Sequence, residues 1–120
     1  DEWNERRRIV ASWYYEFLKE KDVTTYLESS ENEAVHHLFV VTLKNRNEMI
    51  ENLSNIGIPT GIHYPVPIHK HECFSEYSFT KGKTFPVAEK QADELLSLPM
   101  HPNLTHSEVE SIITAISQFF

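Results

Sequence analysis

The sequence predicts an α+β domain, a small three-stranded sheet with helices packed on it. Three observations point there. Helical apolar spacing recurs in separate stretches along the chain. Short β-branched or apolar runs lie between those stretches. Glycine, proline and capping residues fall at the joins. The resulting order is helix, strand, helix, strand, loop, helix, strand, helix, and three short strands can share one sheet against which the helices bury their apolar stripes.

The first helix is predicted from about Glu2 to Lys19, because Val10, Trp13, Tyr14, Phe17 and Leu18 recur at spacings of three and four. Residues 20–34 are polar, and Ser29-Ser30-Glu31-Asn32-Glu33 reads as a loop. His36 to Leu43 (HHLFVVTL) is nearly continuous and β-branched, so it reads as a buried strand. One of His36 and His37 is expected to point inward as a packed histidine. Asn45 can cap the next helix, with Glu48 three residues on and Met49, Ile50, Leu53 and Ile56 as its apolar stripe. Gly57 supplies the stop, because glycine takes the left-handed conformation without a Cβ penalty.

A short strand is expected through Thr60-Gly61-Ile62-His63, broken at Pro65. Residues 65–84 form a long loop with a short helix at His71 to Tyr77. Pro86 suits the first turn of a helix that Ala88, Gln91, Ala92 and Leu95 continue. Leu96 to Met100 makes the third strand, ended by Pro102. Thr105-His106-Ser107-Glu108 is a capping box, and Val109, Ile112, Ile113, Ile116 and Phe120 give the last helix its buried stripe.

A chain of 120 residues is one domain with room for a core, and 40% hydrophobic content supports a folded chain. The net charge of −7 argues against nonspecific nucleic-acid binding. Arg6-Arg7-Arg8, the one basic run, fits a solvated helical turn or an interdomain contact. No apolar stretch approaches the roughly 20 residues of a membrane span. The single cysteine, Cys73, excludes an internal disulfide and is compatible with the cytoplasm, the expected location. The first residue is not Met, which fits a piece of a longer protein.

His63 to His69, HYPVPIH, holds the candidate site. Two histidines, a tyrosine and two prolines in seven residues suit a rigid turn at a surface or cleft better than a core strand. His69-Lys70-His71-Glu72-Cys73, with His63, invites a metal reading, but the one- and five-residue gaps lack the matching second pair of a zinc site, and no metal is assigned. Cys73 has histidines nearby without an oxyanion-hole signature, so a partly buried structural thiol is expected, on a face with Phe74 and Tyr77 packing inward. Lys81 and Lys83 read as surface charges. His101, at the end of the third strand, is expected to hydrogen-bond the loop backbone.

GIPTGIHYPVPIH, then FPVAEKQADELLSLPMHP, then a closing TxxE helix together resemble the C-terminal part of the DegT-type sugar aminotransferases, and Asp1 to Arg8 resembles the start of the long helix leading into that family's small domain. The resemblance covers nearly the whole chain. It implies residues 1–120 as a C-terminal small domain of the aspartate-aminotransferase-like fold (fold type I), with the cofactor-binding domain upstream. It further implies a homodimeric pyridoxal-phosphate (PLP) enzyme that moves an amino group from glutamate to a nucleotide-linked keto sugar. PLP is then bound by the parent enzyme, whose Schiff-base lysine lies before Asp1, and no catalytic or cofactor-binding residue is assigned here. His63 and Tyr64 would face the substrate cleft, with His69 a further contact. A sugar dehydratase of the same family, with histidine in place of that lysine, is one alternative. A freestanding ligand- or metal-binding domain is the other.

Overall fold

The computed structural model describes residues 1–119 apart from Glu28 and Ser30. Helix α1 (Glu2–Leu18) turns Val10, Ala11, Tyr14 and Leu18 into the core, the stripe its spacing predicts. Trp13 and Phe17 pack at its edge against the His106 ring, at centroid distances of 5.3 and 5.2 Å. Tyr14 stacks on Phe39 at 4.6 Å and donates its hydroxyl proton to the Pro99 carbonyl at 2.7 Å. That bond satisfies the one polar atom of a fully buried ring.

The sheet is antiparallel in the order β1 (Thr24–Thr25), β2 (Phe39–Thr42), β3 (Leu95–Leu98). Phe39 pairs with Leu98 and Thr42 with Leu95, while Thr24 pairs with Thr42. Two expectations change. The polar stretch 20–34, for which no strand was expected, supplies an edge strand at Thr24–Thr25. The strand expected at Thr60 to His63 shrinks to one bridge, in which Gly61 and Ser97 exchange hydrogen bonds of 3.1 and 2.8 Å across the free edge of β3. Pro59 and Pro65 bracket that bridge, and proline has no N–H to extend a ladder. The strand expected from His36 begins only at Phe39; His36 itself sits at φ 45°, outside extended geometry. It is half-buried beside Tyr15, and His37 is exposed.

Helix α2 (Arg46–Asn55) buries Met49 and Leu53, but Ile56 is 54% exposed and leaves the predicted stripe. Asn45 does not cap α2 with its side chain. It adopts the left-handed conformation at φ 57°, which asparagine tolerates better than most residues. Gly57 does stop the helix, at φ +79°, and the Ile58 N–H returns to the Leu53 carbonyl at 2.9 Å. Arg46, unremarked in the sequence, is buried and donates to the Leu95 carbonyl at 3.0 Å, tying α2 to β3.

The helix expected at His71 to Tyr77 is replaced by two single 3-10 turns, Ile68–Lys70 and Glu72–Phe74. Cys73 is exposed rather than partly buried, and Tyr77 is exposed as well, with only Phe74 half-buried. Phe74, Tyr77 and Phe79 instead pack on one another, 5.5 to 6.1 Å apart. Thr80 secures that loop from beneath, donating to the Phe74 and Tyr77 carbonyls.

Helix α3 (Pro86–Glu94) starts on Pro86 as predicted and passes into β3 without a loop, so Leu95 belongs to the strand. Helix α4 (His106–Ser117) opens on the predicted capping box. The Glu108 N–H donates to Thr105 Oγ1 at 3.3 Å, and the Thr105 N–H donates to Glu108 Oε2 at 2.8 Å. Val109, Ile112, Ile113 and Ile116 are buried; Phe120 and Ser30 lie outside the described residues. The core thus lies between α1, α4 and the sheet, with the fold class the pattern predicts.

Candidate functional site

Gly61 brings the HYPVPIH turn to the edge of β3. A Cβ on Gly61 would come within 2.7 Å of His63 Cε1, so the absence of a side chain lets the imidazole fold back over the backbone. There His63 Nδ1 shares a 2.9 Å hydrogen bond with Ser97 Oγ. Nε2 is the ring nitrogen left for another partner. The His63–Tyr64 peptide bond is cis, and Tyr64 projects outward, 74% exposed.

Beyond Tyr64 the chain forms one wall of a groove of 670 Å³, and α3 forms the other. Tyr64, Ile68, His69, Phe79, Phe85 and Leu95 are among its lining residues. The lining is mostly apolar, with a few polar groups at fixed places: Tyr64, His69, His71, Thr80 and Gln91. This is the composition of a pocket that binds by shape and orients by sparse hydrogen bonds. No lysine or arginine is among the residues that line it.

The structure therefore brings Tyr64 and His69 onto one groove, with His63 just behind Tyr64 and its ring 5.7 Å from the tyrosine ring. His69 is held in place. Its Nε2 meets Glu89 Oε1 at 3.0 Å, and its ring lies 4.6 Å from that of Phe85. Glu89 also takes Lys70 Nζ at 2.7 Å and the Phe85 N–H at 2.9 Å. Those bonds, Lys70 foremost, hold its carboxyl down at about 2. Sequence reading passed over Glu89. Its place four residues after Phe85, at the head of a helix begun by proline, was the available signal.

The remaining candidates lie elsewhere. Lys81 pairs with Glu76 at 2.8 Å on the surface, and Lys83 is exposed. His101 Nδ1 accepts the Asn103 N–H at 3.3 Å, the loop-backbone bond expected of it. Among the described residues, no three of His, Cys, Asp and Glu are grouped as a metal site would need. The arginine run is used within the fold: Arg6 donates to the Pro102 carbonyl at 3.1 Å, and Arg8 pairs with Glu5 and Glu33 at 2.7 and 2.8 Å. No helix of the described residues is long and apolar enough to cross a membrane.

Comparison with known proteins gives this architecture a family. The chain is 34% identical over 119 residues to the dTDP-3-amino-3,6-dideoxy-alpha-D-galactopyranose transaminase of Aneurinibacillus thermoaerophilus, covering 99% of this chain and 32% of that protein. It is 32% identical over 111 residues to the UDP-2-acetamido-2-deoxy-3-oxo-D-glucuronate aminotransferase of Pseudomonas aeruginosa, covering 92% of this chain and 30% of that protein. Among solved structures, a DegT DnrJ EryC1 StrS aminotransferase from Brucella abortus superposes with a TM-score of 0.88 at 32% identity, over 98% of this chain and 31% of its own. DesV of S. venezuelae, solved in complex with a ketimine intermediate, gives 0.88 at 31% identity, over 98% of this chain and 32% of its own. The chain spans about a third of the length of these relatives. The model of the DegT/DnrJ/EryC1/StrS aminotransferase family matches residues 1–117, and with the fold repeated in both structures the chain belongs to that family.

Proposed function

We propose that residues 1–120 are the C-terminal small domain of a PLP-dependent aminotransferase that transfers an amino group from glutamate to a nucleotide-linked keto sugar. The observation that carries this is the groove, with Tyr64 and His69 on an apolar wall, in a chain whose relatives are named as transaminases of nucleotide-linked sugars. The groove residues do not fit PLP itself. A Schiff-base cofactor needs a lysine, and no lysine lines the groove. The cofactor site is accordingly assigned to the rest of the enzyme, whose working form in this reading is a cytoplasmic homodimer. Tyr64 and His69 contact the sugar nucleotide. His63 does so through Nε2 while Ser97 fixes its ring.

The test is to trap the enzyme. The longer protein, mixed with PLP and reduced with borohydride, should carry its cofactor on a lysine outside residues 1–120, and with glutamate and a nucleotide-linked keto sugar it should yield the amino sugar. A stoichiometric adduct on a lysine of this chain would contradict the division of labour.

A further inference from the structure

One carboxylate joins the Ile68–Lys70 turn to the first turn of α3. Glu89 Oε1 accepts from His69 Nε2 at 3.0 Å and from the Phe85 N–H at 2.9 Å, and Oε2 takes Lys70 at 2.7 Å. A helix cap alone would need only the Phe85 bond, whereas two of the three donors come from the loop. The His69 side chain is 10% exposed, fixed at Nε2 by the carboxylate and packed against the tilted Phe85 ring. Its Nδ1 is given no partner by any hydrogen bond of the described residues. No fully buried side-chain nitrogen or oxygen among the described residues lacks a partner, so Nδ1 stays accessible, and His69 lines the groove.

We propose that Glu89 is a positioning residue of the groove, holding the His69 imidazole by Nε2 so that Nδ1 accepts a hydrogen bond from a hydroxyl of the bound sugar. The proposal rests on the sugar-nucleotide reading above. A neutral imidazole donates at one nitrogen and accepts at the other, and an ionised carboxylate only accepts. Glu89 therefore places the proton on Nε2 and the lone pair on Nδ1, as carboxylates do behind metal-bound histidines. A sugar hydroxyl is a donor that matches this lone pair, and an unprotonated phosphate is not.

The test has two arms. In the 120-residue chain at about pH 8, where an ordinary histidine is neutral, proton–nitrogen NMR should find His69 protonated at Nε2. Glu89→Ala should free the ring, abolishing its Overhauser contact with Phe85 while α1 and α4 resonances stay in place. A native ring protonated at Nδ1, or a ring unmoved in E89A, overturns the proposal; the first of these needs no variant to fold. In the longer enzyme, E89A and H69A should each lower the specificity constant for the sugar about tenfold, and E89A added to H69A should cost nothing further. An equal cost with and without His69 overturns it, since Glu89 would then act by holding the loop. A longer protein that aminates no sugar defeats the hydroxyl contact together with the proposed function, and the NMR arm decides the anchoring of His69 by itself.

Discussion

In the folded chain the Glu89 carboxyl is held at about 2, against an ordinary 4.5, by Lys70, the Phe85 N–H and His69 in that order. Between those two values the unfolded chain binds the proton and the folded chain does not. The contribution of Glu89 to stability is therefore complete above 4.5 and is lost as pH falls through about 2. Urea midpoints of the native chain and of Glu89→Gln should converge as the pH is lowered across that interval. A gap that stays constant down to the lower end would show that the carboxylate charge is not what these donors hold. Tyr14 illustrates the opposite influence. Burial pushes its phenol up, which favours the neutral form that donates to Pro99.

At the scale of elements, local chemistry was legible and long-range pairing was less so. Pro86, Gly57 and the Thr105–Glu108 box each act within a few residues, and each stands where the sequence puts it. Thr105→Ala removes the side-chain acceptor of the Glu108 N–H and should cost about 1 kcal/mol of stability by urea unfolding. A loss near zero would mean that water caps α4 equally well. Asn45 misled because asparagine serves both as a cap and as a left-handed residue, and spacing does not separate the two. Thr24–Thr25 was missed because two residues give no period, although Val23 and the two threonines are β-branched. The strand at Thr60 to His63 shrank to one bridge between Pro59 and Pro65, and His63 there folds over Gly61 toward Ser97, 34 residues away, a contact that spacing does not reveal. The candidate turn was readable from its prolines and aromatics, whereas the Glu89 anchor, 20 residues beyond His69, becomes visible only when α3 packs beside the loop.

Over the whole molecule, the core of α1, α4 and the sheet supports a groove at one edge, built from the HYPVPIH turn, the Phe74–Thr80 loop and α3. That arrangement supplies walls and a few oriented polar atoms. In the proposed enzyme it serves the sugar and leaves cofactor chemistry to the remaining domain. The measurement that bears most directly on this division is the separate kinetics of the two half-reactions in the longer protein carrying Tyr64→Phe. A hydrogen bond to a charged phosphate is worth roughly 1.5–3 kcal/mol, so the sugar half-reaction should lose about ten- to a hundred-fold in its specificity constant. The glutamate half-reaction, which involves no sugar, should keep its rate. If both fall together, Tyr64 supports the fold or the cofactor, and the groove is not the wall that receives the sugar nucleotide.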